Sequence, residues 1–274
     1  MTTAPGPLVT TDWLARHLDD RDVRVVETGT DRATTYDEGH VPGALWVDPH
    51  TELLREGDES SGEVITPQQF AALMSRLGVT PSTLVVAYGD QGGRHATRLF
   101  WTCRMYGHDA VCVVDGGREA WLAEGRPVTR ETPVVTPTAY PVPEPRPGFD
   151  ITAEEIRDRL GRPDFVVLDV RTPEEYRGED VRAARGGHIP GAILIPWTAT
   201  LTEDYHLKPL DELRALFRDA GVTPDRTVAV HCQLGVRASH TWFVLTQALG
   251  YRDVRNYDGS WQEWGNRPDL PIER

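Results

Sequence analysis

The chain has 274 residues and a formal net charge of −13, from 29 basic and 42 acidic side chains. This length suits two domains of ordinary size, and a hydrophobic content of 39% gives each of them material for a core. An acidic surface repels nucleic acid and anionic membranes, so we expect neither as a partner. The amino terminus lacks the basic and apolar segments of a secretory signal, and no apolar run approaches membrane-spanning length. We therefore expect a cytoplasmic protein.

An internal repeat determines the predicted architecture. Two motifs occur twice, Gly-His-Val/Ile-Pro-Gly-Ala at 39–44 and 187–192, and Asp-Gly followed by Trp at 115–121 and 258–264. The first pair is shifted by 148 residues and the second by 143, so the copies differ by a short insertion or deletion. Such self-similarity indicates two copies of one domain.

A proline-rich stretch separates the two copies. Seven prolines lie between Pro127 and Gly148. Proline breaks helices and favours extended chain, so this stretch is predicted to be a linker. We therefore expect domains at 1–126 and 149–274, joined by a linker at 127–148.

Strand and helix patterns alternate along the second copy. Short apolar runs at 165–170, 192–196 and 227–231 predict buried strands. Helices are predicted over 210–220 and 238–249, and each is followed by glycine. Alternating elements predict an α/β fold, with a parallel sheet and helices on both faces of it. Ligands of such sheets bind at the carboxyl ends of the strands.

The third predicted strand leads into the candidate active site. The site residues are Cys232 and the loop that follows it, Gln233, Leu234, Gly235, Val236 and Arg237. A thiol between a strand and a helix lies near converging backbone N–H groups and the positive end of the helix, which favour a thiolate. Gly235 permits a tight turn, and Arg237 adds a permanent positive charge. A small buried hydrophobic residue is the alternative interpretation of Cys232.

The other two cysteines fit that alternative. Cys103 lies in a predicted helix beside Trp101 and Tyr106, and Cys112 lies within a predicted strand over 110–114. Both are expected to pack in the core. An odd number of cysteines without a Cys-x-x-Cys pair or a Cys/His cluster predicts neither a disulfide framework nor a metal site.

Together the repeated motifs, the strand end Asp169-Val170-Arg171 and the cysteine loop resemble a tandem-domain rhodanese-family sulfurtransferase. The resemblance implies that the first copy is inactive, because the shift of 143 residues places Gly89 opposite Cys232. It also implies that Cys232 takes a sulfane sulfur as a persulfide, cradled by residues 233–237, and passes it to cyanide or a thiol. No metal or organic cofactor is implied.

The loop departs from the familiar members of that family. Gln233 and Leu234 are uncharged, and the arginine that clamps the substrate in the family aligns here with Glu175. Arg171 and Arg182 are the candidate substrate-binding replacements, although Arg171 could equally pair with a buried carboxylate. We expect thiosulfate as the donor, with 3-mercaptopyruvate as the second candidate.

Two rival functions use the same residues. His-Cys…Arg also opens the phosphate loop of cysteine phosphatases, but those loops place one more residue between Cys and Arg than the four present here. A sulfur relay that hands its persulfide only to a thiol of a protein partner would have the same site. The residues alone do not distinguish a relay from an enzyme.

Overall fold

The computed structural model describes residues 2–55 and 62–274. The described chain forms two compact units. The first contains residues 2–55, 64–146 and 203–207, and the second contains residues 62–63, 147–202 and 208–274. Most of the predicted linker therefore packs with the first unit, and it carries no regular helix or strand over residues 130–146.

The first unit is built on a parallel sheet, with strands β1 Leu8–Val9, β2 Val23–Glu27, β3 Leu45–Trp46, β4 Leu84–Tyr88 and β5 Val111–Val114. The strand order in the sheet is β1-β5-β4-β2-β3. Its helices are α1 Thr11–Arg16, α2 Pro67–Arg76, α3 Arg94–Met105 and α4 Gly117–Ala123. Every residue of β4 and β5 is buried, as expected for parallel strands covered by helices on both faces.

The second unit repeats this plan, with strands β6 Phe165–Asp169, β7 Ile193–Leu194, β8 Thr227–His231 and β9 Val254–Asn256. These strands are all parallel, in the order β7-β6-β8-β9. Its helices are α5 Ala153–Arg157, α6 Pro173–Arg177, α7 Leu210–Asp219, α8 Val236–Phe243 and α9 Ser260–Trp264. The predicted α/β fold with two tandem parallel sheets is confirmed.

Two predicted elements of the second unit differ in extent. The strand predicted over 192–196 is only the two residues of β7, because β7 lies at the sheet edge and pairs with only the last two residues of β6. The helix predicted over 238–249 begins earlier, at Val236, and ends in a π-helical turn over Val244–Ala248. Gly235 sets the earlier start, because its left-handed φ of 72° turns the chain directly into the helix.

Both cysteines of the first unit lie in its core, as predicted. Cys103 in α3 and Cys112 in β5 have no exposed surface. Burial raises the pKa of the Cys103 thiol strongly and that of Cys112 to about 12, so both stay protonated at neutral pH. Across residues 2–55 and 62–274, no helix is long and apolar enough to cross a membrane.

Candidate active site

Cys232 lies at the carboxyl edge of the second sheet. It follows β8 directly, and its side chain is 2% exposed. In the sheet register Asp169, at the end of β6, is the partner of His231, at the end of β8. The segments that follow these two neighbouring strands therefore meet at the edge where parallel sheets bind ligands.

Ser260, the first residue of α9, holds the cysteine loop. Its Oγ accepts hydrogen bonds from the backbone N–H of Cys232 at 3.1 Å and of Gly235 at 3.0 Å. The same hydroxyl donates to the carbonyl of Tyr257 at 2.8 Å. Ser260 has a left-handed φ of 51°, which costs a residue with a side chain about 1–2 kcal/mol. The loop is thus fixed by a residue 28 positions away in the chain.

The remaining amides of the loop are available to an anion. Within the described chain, no hydrogen bond is formed by the backbone N–H of Gln233, Leu234, Val236 or Arg237. The last two belong to the first turn of α8, whose amides carry the positive end of the helix dipole. Of the five amides in the loop predicted to cradle the persulfide, 233–237, the N–H of Gly235 is the one that donates to Ser260.

Arg237 is held beside the cysteine by Glu175. Its guanidinium donates to both oxygens of that carboxylate, Nη1 to Oε2 at 2.7 Å and Nη2 to Oε1 at 2.8 Å. The Glu175 side chain is fully buried, whereas that of Arg237 is 12% exposed. Burial opposes the charge of Arg237, but hydrogen bonds and negative charge from Glu175 and from the Cys232 sulfur raise the pKa of the guanidinium. Arg237 is therefore held in its charged form by Glu175, five positions along the chain from Cys232.

Arg171 has a different place. Its side chain is 1% exposed and forms a bidentate pair with Asp169, with Nη2 2.7 Å from Oδ2. Nη2 also donates to the carbonyl of Gly187 at 2.8 Å, and the guanidinium lies 4.3 Å from the centre of the Trp261 ring. Its charge is satisfied inside the protein, so we assign Arg171 the structural role that the sequence left open and do not propose it as a substrate-binding residue.

Arg182 and Gln233 lie at the rim of the site. The Arg182 side chain is 51% exposed, pairs with Asp180 at 2.7 Å, and has Nη1 3.8 Å from the Glu175 carboxylate. The Gln233 amide donates to the Arg182 carbonyl and to Gln262 Oε1, each at 3.0 Å. Arg182 remains a substrate-binding candidate, but part of its charge is already neutralised.

Leu234, a predicted loop residue, and His231, which precedes the cysteine, are both at least partly buried. Leu234 is half-buried and packs closely against Gly62. A Cβ atom added to Gly62 would lie only 3.0 Å from the Leu234 side chain. His231, before the cysteine, is fully buried, and burial lowers its pKa to about 4 despite Asp169 nearby. His231 is therefore neutral at neutral pH and adds no positive charge to the sulfur.

The first unit has a matching loop without room for a side chain. Gly89 follows β4 as Cys232 follows β8, and its carbonyl accepts from Arg118 N–H at 2.9 Å, as the Cys232 carbonyl accepts from Trp261 N–H at 3.0 Å. A Cβ at Gly89 would overlap the carbonyl oxygen of Thr28, and one at Gly117, the counterpart of Ser260, would overlap the Gly89 carbonyl. The described part of this unit thus lacks both the thiol and the space for it.

Sequence reasoning missed the roles of Ser260 and Glu175. The repeated Asp-Gly…Trp motif marks the neighbourhood of Ser260, and the unusual carboxylate at the family's arginine position marks Glu175. Neither signal shows the contact that gives the residue its role. No group of three or more histidine, cysteine or acidic side chains in the described chain could hold a metal ion.

The fold and the site define an α/β protein with a buried cysteine at the start of a loop that joins a parallel strand to a helix. Residues 10–124 and 152–267 each match the sequence model of the rhodanese-like domain. The chain belongs to the rhodanese family and carries two copies of its domain. The resemblance inferred from the sequence motifs is thereby confirmed.

The names of similar proteins support sulfur transfer as the general activity. The sulfur carrier protein TtuD of Thermus thermophilus is 41% identical over 283 residues, covering 98% of this chain and 97% of that protein. The Mycobacterium tuberculosis protein named "Putative thiosulfate sulfurtransferase SseA" is 41% identical over 278 residues, covering 98% and 91%.

A solved structure supports the fold along nearly the whole chain. The anaerobic ergothioneine biosynthesis enzyme from Chlorobium limicola, in complex with trimethyl histidine, superposes with a TM-score of 0.86 at 26% identity. The match covers 97% of this chain and 70% of that one.

Proposed function

We propose that the protein is a thiosulfate sulfurtransferase that works through a persulfide on Cys232. The observation that carries this proposal is the loop that begins at Cys232. Ser260 fixes this loop, four of its backbone N–H groups have no partner in the described chain, and it ends at the guanidinium of Arg237, which Glu175 holds. These donors match a sulfur anion that remains bound between two half-reactions. The first domain, with Gly89 at the matching position, is proposed to be catalytically inactive.

The proposed reaction has two steps. The Cys232 thiolate attacks the outer sulfur of thiosulfate, the S–S bond of thiosulfate breaks, and sulfite leaves with the bonding electron pair. The new S–S bond leaves the terminal sulfur as a persulfide anion. Cyanide or a thiolate then attacks that terminal sulfur, and the Cys232 thiolate is released for the next cycle. Charge is conserved in each step without a redox partner.

The loop contributes by stabilising the anion in both steps. In the loading step negative charge moves from the cysteine sulfur to the attached sulfane sulfur. Preorganised N–H groups stabilise such a charge without having to reorganise, which is the usual source of an enzyme's electrostatic advantage. Burial of Cys232 also keeps water from competing for the same donors.

A sulfur carrier is the second candidate function. It is supported by the 41% identical relative from Thermus thermophilus that bears that name. A carrier forms the same persulfide and passes the sulfur to a protein acceptor. Turnover with small acceptors therefore distinguishes the two candidates, because a carrier loads Cys232 and releases the sulfur slowly to cyanide.

The test is a thiocyanate assay on the wild type and on Cys232→Ser, with thiosulfate and with 3-mercaptopyruvate as donors. We expect turnover with thiosulfate and complete loss in the variant, because serine cannot form a persulfide. Activity that survives in Cys232→Ser would refute the proposal. Hydrolysis of p-nitrophenyl phosphate, measured alongside, addresses the phosphatase alternative, for which we expect no activity.

A further inference from the structure

The arginine in the active-site loop, Arg237, shares its positive charge with a buried carboxylate, that of Glu175. Glu175 binds both terminal nitrogens of Arg237, and its Oε1 also lies 3.8 Å from Nη1 of Arg182. The two arginines approach Glu175 from α8 and from the segment after α6. Glu175 is therefore shared between both positive charges of the site.

Glu175 cannot move away from this position at low cost. It lies in α6, where its carboxylate accepts from the backbone N–H of Thr172 at 3.0 Å while Thr172 accepts from the N–H of Glu175. This capping box fixes the side chain at the start of the helix. Burial would raise the pKa of Glu175, but hydrogen bonds and charge from Arg237 lower it to about 2. The carboxylate is thus ionised at neutral pH.

The sum of charges follows directly. Arg237 and Glu175 cancel, and Arg182 is paired with Asp180 at 2.7 Å. Among the described residues, the backbone dipoles are then left to offset the thiolate of Cys232, and a helix terminus amounts to roughly half a positive charge. A doubly charged donor such as thiosulfate therefore enters a site that is already close to anionic, whereas a singly charged donor meets about half of that repulsion.

We propose that Glu175 is a specificity-determining residue that, by neutralising Arg237, makes the site favour donors with one negative charge near the sulfane sulfur over dianions. The inference rests on the proposed function and deepens it. Thiosulfate remains a donor, but Glu175 weakens its binding. The donor class that fits the site best is that of monoanionic sulfane compounds, such as persulfides and thiosulfonates.

The test compares two donors on the same protein samples. Thiosulfate is the dianion, and methanethiosulfonate is a monoanion that gives the same Cys232 persulfide and releases methanesulfinate. For the wild type, Glu175→Gln and Glu174→Gln, kcat/KM is measured for each donor. Glu174→Gln is the matched control, since it removes the same charge from the neighbouring position of α6, where the side chain is 56% exposed.

We expect Glu175→Gln to raise the ratio of thiosulfate to methanethiosulfonate kcat/KM by about tenfold, mainly through a lower KM for thiosulfate. This factor corresponds to about 1.4 kcal/mol of extra attraction for the second charge. Glu174→Gln should leave the ratio unchanged. Because both donors are assayed on one sample, the ratio does not depend on the fraction of protein that is folded.

Each outcome decides a separate question. An unchanged ratio in Glu175→Gln, with Cys232 still loaded by both donors, would overturn the role of Glu175 and leave the proposed function intact. Equal increases in Glu175→Gln and Glu174→Gln would show a general surface-charge effect and would also overturn it. Failure of thiosulfate to place sulfur on Cys232 of the wild type would instead remove the proposed function itself, and failure of methanethiosulfonate alone would overturn the preference for monoanions.

Discussion

Removal of the Ser260 hydroxyl should both destabilise the second unit and slow the loading of Cys232. The Oγ atom accepts from two buried backbone amides, at 3.1 Å and 3.0 Å, so alanine leaves both N–H groups without a partner. A buried polar group without a partner costs about 1–3 kcal/mol, and relaxation of the loop recovers part of this. The Tyr257 carbonyl also loses a bond but keeps the one from Ser260 N–H. We expect Ser260→Ala to lose about 2–4 kcal/mol of unfolding free energy.

A second variant separates the hydroxyl from the backbone conformation. Ser260→Gly removes the same Oγ but adopts the left-handed φ of 51° without strain, which returns about 1 kcal/mol. Both variants should load Cys232 at least about tenfold more slowly, because the amides that stabilise the persulfide are no longer fixed. Glycine should therefore be the more stable variant of the two, although both are slow.

The measurements are urea unfolding followed by tryptophan fluorescence and stopped-flow loading with thiosulfate. The reasoning would be refuted if Ser260→Ala unfolded at the urea concentration of the wild type and loaded Cys232 at the wild-type rate. Loss of stability with an unchanged loading rate would mean that Ser260 holds the fold but does not organise the sulfur site.

Two further predictions concern Gly89 and Glu175. In a Gly89→Cys/Cys232→Ser protein no persulfide should form in the first unit, since a Cβ at position 89 overlaps the Thr28 carbonyl; mass spectrometry that found sulfur at position 89 would contradict this. Folding lowers the pKa of Glu175 from 4.5 to about 2, so the unfolded chain binds the proton of this carboxyl more readily than the folded protein does. The ionised carboxylate therefore stabilises the folded protein by up to about 3 kcal/mol, and this contribution is lost as pH falls from about 5 toward 2. The unfolding free energies of the wild type and Glu175→Gln should therefore converge as pH is lowered from 7 to 3. A difference between the two proteins that stayed constant with pH would contradict this prediction.

The residues around β8 show what the sequence could predict. An apolar run of high β propensity predicts this strand at its observed limits, and the strand ends at a loop with glycine at the helix start. These features depend on neighbours in the chain, so local patterns are sufficient to find them.

The roles of Ser260, Glu175 and Arg171 needed the structure. Glu175 meets Arg237 across 62 positions of the chain and Ser260 meets Cys232 across 28, so neither contact leaves a periodic signal. Arg171 is only two positions from Asp169, and the sequence did suggest such a pair. Whether that arginine turned toward solvent or into the protein depended on the Trp261 ring and the Gly187 carbonyl, which fold against it from distant segments.

The most direct test of the account is to locate the transferred sulfur atom. Protein is incubated with thiosulfate carrying an isotopic label on the outer sulfur, digested without reductant, and read by peptide mass spectrometry. The account predicts one labelled sulfur on the peptide that contains Cys232, none on the peptides of buried Cys103 and Cys112, and release of the label as thiocyanate when cyanide is added. A Cys232 peptide that never gains the label, or a label found on another cysteine, would contradict it.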